Sequence, residues 1–114
     1  MRFTIILALL AATASAAPPT TCGSGDEYGQ ALCAYQKRDF RAAEVGFRAI
    51  AQRGEEQPET IRATYFLGRT LMKQGRFSEA SDLFIRIYDL DQTFYNAWSC
   101  DFLLGECRRA LGKG

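Results

Sequence analysis

The stretch Leu67-Gly68-Arg69-Thr70-Leu71-Met72-Lys73-Gln74-Gly75-Arg76-Phe77-Ser78-Glu79-Ala80-Ser81-Asp82-Leu83-Phe84 decides the fold. Its apolar residues do not alternate, so it is no strand. Tyr65, Leu67, Gly68 and Leu71 fall on one side of a helix, and Phe77, Ala80, Phe84 and Ile87 recur at steps of three and four on a second one. Gly75 between them marks a tight turn. The reading is a helical hairpin. The small residues Gly68 and Ala80 let the two helices approach closely, and Phe77 and Phe84 fill the space around that contact.

Working outward, the same pattern returns at a fixed interval. Ala31, Gly68 and Gly105 lie 37 residues apart in turn; so do Phe40 and Phe77, Ala43 and Ala80, Phe47 and Phe84, and Leu67 and Leu104. Helices are expected near 26–37, 40–53, 59–74, 77–90 and 95–111. Pro58 suits the first turn of the third helix and Gly54 the end of the second.

This spacing carries a family resemblance. Leu67-Gly68, Leu71, Gly75, Phe77, Ala80 and Phe84, closed by Leu90-Asp91, are similar to a tetratricopeptide repeat. Gln92 stands where the family prefers proline, Thr64 where it often has tryptophan, and Leu71 where it often has tyrosine. The first unit keeps Phe40, Ala43 and Phe47 but has Ala31 for the helix glycine and Arg38 for the turn glycine. Its tail from Ala43 to Gly54 also resembles a Sel1-type repeat. The resemblance covers residues 26–112. It implies an all-α, right-handed solenoid of antiparallel hairpins, about two and a half repeats and five helices, with the last helix as a cap. Arg108 falls where the family has an apolar residue facing a following helix, which fits a face left in water; the alternative reading is a chain truncated after the first helix of the third repeat.

Outside the repeats, Arg2, the apolar run Ile5-Ile6-Leu7-Ala8-Leu9-Leu10-Ala11-Ala12 and the small-residue site Ala14-Ser15-Ala16 read as a cleavable signal peptide over 1–16. The run is too short for a bilayer span, which takes ~20 residues. Residues 17–25, with Pro18 and Pro19, form an extended leader, and 26–114 the repeat domain. The expected location is the periplasm or the exterior of the cell.

An apolar fraction of 47% and a charged fraction of 24% describe a folded chain, and a formal charge of +1 offers no attraction to nucleic acid. The chain contains no histidine, so Ser/His hydrolysis and a His-bearing zinc site are excluded. No carboxylate pair converges along the sequence. The expectation is a non-enzyme with no cofactor and no metal.

Four cysteines in an exported domain suggest disulfides. Cys22, on the leader, can fold back onto Cys33, and this pair is the first choice. Cys100 and Cys107, seven apart on one helix, are ~10 Å apart in rise, too far to bridge. They could pair only if the last helix started after Cys100. With Ala97, Leu104 and Leu111 they form a stripe that reads as core.

The family pattern implies that the first helix of each unit lines a concave face. On it would stand Tyr28, Leu32, Tyr35 and Gln36, then Arg62, Tyr65, Arg69, Met72 and Lys73, then Phe102, Glu106 and Arg109. Tyrosine and arginine suit an interface, and Arg62, Arg69 and Lys73 would favour a ligand with carboxylates. The same residues also suit a solvated face and inter-unit packing, and the set does not match the Lys/Asn carboxylate clamp of chaperone-binding relatives. The expected function is a protein or peptide binder without stable membrane insertion. The alternatives are a structural homo-oligomer, such as a homodimer, or a component of an envelope assembly, and a thiol redox partner.

Overall fold

A computed structural model describes Cys22, residues 25–54 and residues 57–112. The expected signal peptide (1–16), residues 17–21 of the leader and the Glu55-Glu56 turn lie outside the described residues. The elements are α1 (Glu27–Gln36), α2 (Phe40–Ala51), α3 (Pro58–Lys73), α4 (Phe77–Leu90), α5 (Gln92–Ala97) and α6 (Cys100–Ala110), with no strand among the described residues. α1 packs on α2, α2 on α3, α3 on α4, and α4 on both α5 and α6, so sequence neighbours are neighbours in space.

The two hairpin turns obey the 37-residue register. At the end of α3, the Gly75 N–H donates to the Met72 carbonyl at 2.9 Å and the Arg76 N–H to the Leu71 carbonyl at 2.9 Å, with Gly75 at φ +77°. At the end of α1, the Arg38 N–H donates to the Tyr35 carbonyl at 3.0 Å and the Asp39 N–H to the Ala34 carbonyl at 2.9 Å, with Arg38 at φ +66°. Arg38 therefore takes the left-handed conformation usually left to glycine, at a cost of roughly 1 kcal/mol. Asp26 and Asp39 cap α1 and α2 by accepting from the N–H groups of Gly29 (2.7 Å) and Ala42 (3.2 Å).

Burial follows the sequence stripes. Phe47, Ile50, Leu67, Leu71, Phe84 and Ile87 have almost no exposed surface. A Cβ on Gly68 would come within 2.8 Å of the Phe84 ring. In the first unit the small residue has changed sides: a Cβ on Gly46 would meet the Ala31 Cβ at 2.7 Å. Close helix contact thus survives where Ala31 replaces the glycine. Thr64 and Thr70, both buried, satisfy their hydroxyls by donating to the Thr60 and Phe66 carbonyls at 2.9 and 2.7 Å.

The last unit corrects the expected count of five helices to six among the described residues, because the single helix expected at 95–111 is broken. Asp91 is extended and its carboxylate accepts from the Phe94 N–H at 2.9 Å, so α5 begins immediately after α4 ends. Ser99 then takes φ +54°. The break lets one segment serve two surfaces. Phe94 and Trp98 turn their rings to Tyr65 on α3, with centroids 6.0 and 4.9 Å away, while Cys100, Leu104 and Cys107 are the buried face of α6, which packs on α4. A straight helix could not present both stripes.

One half-buried ionic cluster ties the two hairpins. Glu44 on α2, with 16% of its side chain exposed, accepts from Arg48 (2.8 Å), Arg76 (2.8 Å) and Gln74 (3.1 Å), the last two from the α3–α4 turn. The Arg48 bond above all, with Arg76 and Gln74, outweighs the opposing effect of burial and lowers the Glu44 carboxyl from 4.5 to about 2. The stability this contributes is complete above pH 4.5 and is lost as pH falls toward 2. Solvent at the half-exposed arginines discounts it to about 2 kcal/mol. Urea titrations at pH 6 and pH 2.5 should show that loss in the wild type, and Glu44→Gln should be weaker at pH 6 and lose less on acidification. An identical pH profile in the variant would refute the assignment.

Candidate functional site

The first helices of the units bring an aromatic and cationic surface together. Its centre is Phe66 on α3, half-buried, with ring contacts to Tyr28 (6.3 Å) and Tyr35 (5.6 Å) of α1, to Phe47 (5.5 Å, stacked), to Tyr65 (5.1 Å) and to Trp98 (6.3 Å). Trp98 stacks on Phe94 at 4.6 Å. The floor therefore runs from α1 across α3 to α5 as a continuous set of rings, mostly edge to face, the arrangement that the ring quadrupole favours.

Two arginines ride on this floor. The Arg62 guanidinium sits 5.4 Å above the Tyr28 ring, and Arg69 sits 6.0 Å from the Tyr35 ring and 5.8 Å from Tyr65. Arg69 also donates to the Tyr65 hydroxyl at 3.2 Å. Burial pushes the Tyr28 hydroxyl above its ordinary range, with the charge of Arg62 working against it. Two clefts open beside α3. One, of about 200 Å³, is lined by Pro58, Ile61, Arg62, Asp91, Phe94 and Trp98; the other, of about 230 Å³, by Arg69, Met72, Lys73, Phe77 and Leu103.

Of the residues expected on the concave face, Tyr28, Tyr35, Arg62, Tyr65 and Arg69 come together, and Met72 and Lys73 line the adjoining cleft. Tyr65 is only 6% exposed, so it is floor rather than open surface. Phe102 and Arg109 stand apart: Phe102 is 61% exposed, and Arg109 is held by Glu106 on its own helix. Leu103, not Phe102, faces the cleft, because the Ser99 break resets the register of α6. Sequence reading missed Phe66, Phe94 and Trp98. The sole tryptophan, two residues from the Cys100 stripe, was the available signal.

The cysteines divide into two kinds. Cys22 and Cys33 are joined as a disulfide, with Cα atoms 5.7 Å apart. Cys100 and Cys107 are free and buried. Burial pushes the Cys100 thiol up to about 11, the Asp101 charge adding to it, and raises Cys107 likewise, with Glu106 adding. The thiolate is the reactive form, so Cys100 should react about a hundredfold more slowly than a free cysteine at neutral pH. A maleimide assay should label no thiol in the native protein and two after denaturation in the absence of reductant. Fast native labelling would contradict the burial. Among the described residues no three potential metal ligands converge, and no helix is long and apolar enough to cross a membrane.

Stacked antiparallel hairpins with a ring-lined inner face define an α-helical repeat module. The family model of the tetratricopeptide repeat matches residues 28–93, more than half of the chain. The chain belongs to the tetratricopeptide repeat family, whose repeats are in general protein–protein interaction modules. Neither the curated proteins nor the solved structures contain a match.

Proposed function

We propose that this protein is an exported, non-enzymatic binding module that holds a peptide or protein segment along the α1–α3–α5 face. The observation that carries the reading is the pair of half-buried arginines, Arg62 and Arg69, laid on tyrosine rings beside two open clefts. Rigid aromatic area and forked donors are what interface hot spots are made of. Export is supported by the leader sequence and by the Cys22–Cys33 bridge, which persists in an oxidising compartment.

Affinity capture with the wild type and with Arg62→Glu and Arg69→Glu tests the groove. The expected result is a partner held by the wild type and lost by both variants, each retaining its helical circular-dichroism spectrum. Full retention by both variants would refute the groove. Amino-terminal sequencing of the mature product should begin at Ala17, and a start at Met1 would refute export by cleavage.

A second reading, a homo-oligomer joined through α6, is favoured by the exposure of Phe102 and Leu111. Light scattering that gives a monomer at high concentration would remove it.

A further inference from the structure

We propose that the groove takes an extended peptide segment carrying two carboxylates three residues apart, one for Arg62 and one for Arg69. The inference rests on the groove reading above and adds the chemistry and spacing of the occupant.

The charge distribution separates these two arginines from the rest. Arg48, Arg53, Arg76 and Arg109 each meet a glutamate. Arg38, Arg41, Arg86 and Arg108 form no ion pair among the described residues, but all four are exposed and solvated. Arg62 and Arg69 form no ion pair among the described residues either, yet both are half-buried. Removing a guanidinium from water without a counter-charge is unfavourable, and the rings beneath offset only part of that. Arg69 gives one donor to Tyr65, leaving the rest of its fork for an acceptor from outside. A carboxylate is the group that a forked donor binds best.

The spacing sets the form of the ligand. Seven residues on one helix separate the two Cα atoms by ~10.5 Å along the axis. An extended chain covers roughly 10 Å in three residues. Each arginine overlooks its own cleft, and clefts of about 200 and 230 Å³ accept a side chain each rather than a helix ~10 Å across. Tyr65, between the arginines in sequence, carries Trp98 against its ring, and together these form the step over which the peptide backbone would pass. Lys73 makes the Arg69 end the more cationic. Asp91 also lines the Arg62 cleft; it forms no ion pair with Arg62, and one of its carboxylate oxygens accepts from the Phe94 N–H, so its charge makes the Arg62 end the weaker of the two.

The test is selection of phage-displayed random dodecapeptides on the purified full-length protein, followed by titration of the enriched peptides as labelled synthetic probes. Enriched peptides should carry Asp or Glu pairs three apart. Arg62→Gln or Arg69→Gln should weaken them about ten- to a hundredfold, as should Gln in place of either peptide carboxylate, and added salt should weaken only the acidic peptides. Both glutamine variants keep a polar amide donor without the charge and are checked for fold by circular dichroism. Peptides without acids that are lost on Trp98→Ala but not on either arginine change would overturn this inference and leave the groove standing. Acid pairs seven apart would overturn the extended form in favour of a helical occupant. Displacement of the peptide by a dodecathymidylate at equal concentration would overturn the choice of a peptide. No enrichment, or enrichment indifferent to every variant, would overturn the inference and the groove together.

Discussion

Phe84→Ala should cost about 3–5 kcal/mol of unfolding free energy, enough to leave a small domain partly unfolded at room temperature. Phe84 has no exposed surface, and its ring lies over Gly68 on α3 and 6.3 Å from Tyr65. Truncation removes the buried ring and leaves a void that close-packed neighbours cannot fill. The converse change is informative as well. Gly68→Ala would place a methyl 2.8 Å from the Phe84 Cζ atom, and the enclosed ring has no free direction to move, so a loss of about 1–3 kcal/mol is expected. Because the two residues share one space, Gly68→Ala should cost much less in a Phe84→Leu background. Urea unfolding of the four proteins measures that coupling. Strict additivity would show that Gly68 has another role.

Reduction of the Cys22–Cys33 bridge is the second large effect. The bond closes a loop of sequence separation 11 that includes most of α1. In the chain-entropy account such a loop contributes about 2.5–3 kcal/mol by restricting the unfolded chain. The Cys22→Ser/Cys33→Ser variant should fall by that amount, and reductant should shift the wild type but not the variant. α1 has only one hairpin partner, α2, with slight contact to α3, so its amides should be the first to gain exchange in the reduced protein. An unchanged midpoint on reduction would show that the bridge does not constrain α1. The same measurement bears on the groove, since Tyr28 and Tyr35 both stand on α1.

The hairpins were legible because their signal is local and repeated. Phe77, Ala80 and Phe84 mark a buried stripe, and the 37-residue register transfers the same reading to Phe40, Ala43 and Phe47. Even the loss of glycine at Ala31 left the register readable, although its compensation by Gly46 on the facing helix was not. The break at Ser99 was illegible for a physical reason. Nothing in the local sequence forbids a helix across 95–111; the chain bends because Trp98 packs toward α3 while Cys100 packs toward α4. The site divides in the same way. Arg62 and Arg69 were visible from their places on the repeat, whereas Phe66, Phe94 and Trp98 became floor only through contacts between units. Phe102 looked like a wall of the groove until the bend moved Leu103 into that place.

The junction at Glu44 has a consequence for recognition. With Arg48 from α2 and both Arg76 and Gln74 from the α3–α4 turn closing on one carboxylate, the angle between the first and second hairpins is set within the free protein. An incoming chain then meets a receptor that has little freedom left to surrender, and the entropy lost on association falls mainly on the guest. Because this carboxylate stays ionised in the folded protein until pH nears 2, the junction keeps that angle through mild acidification, and receptor geometry and helicity should be lost together.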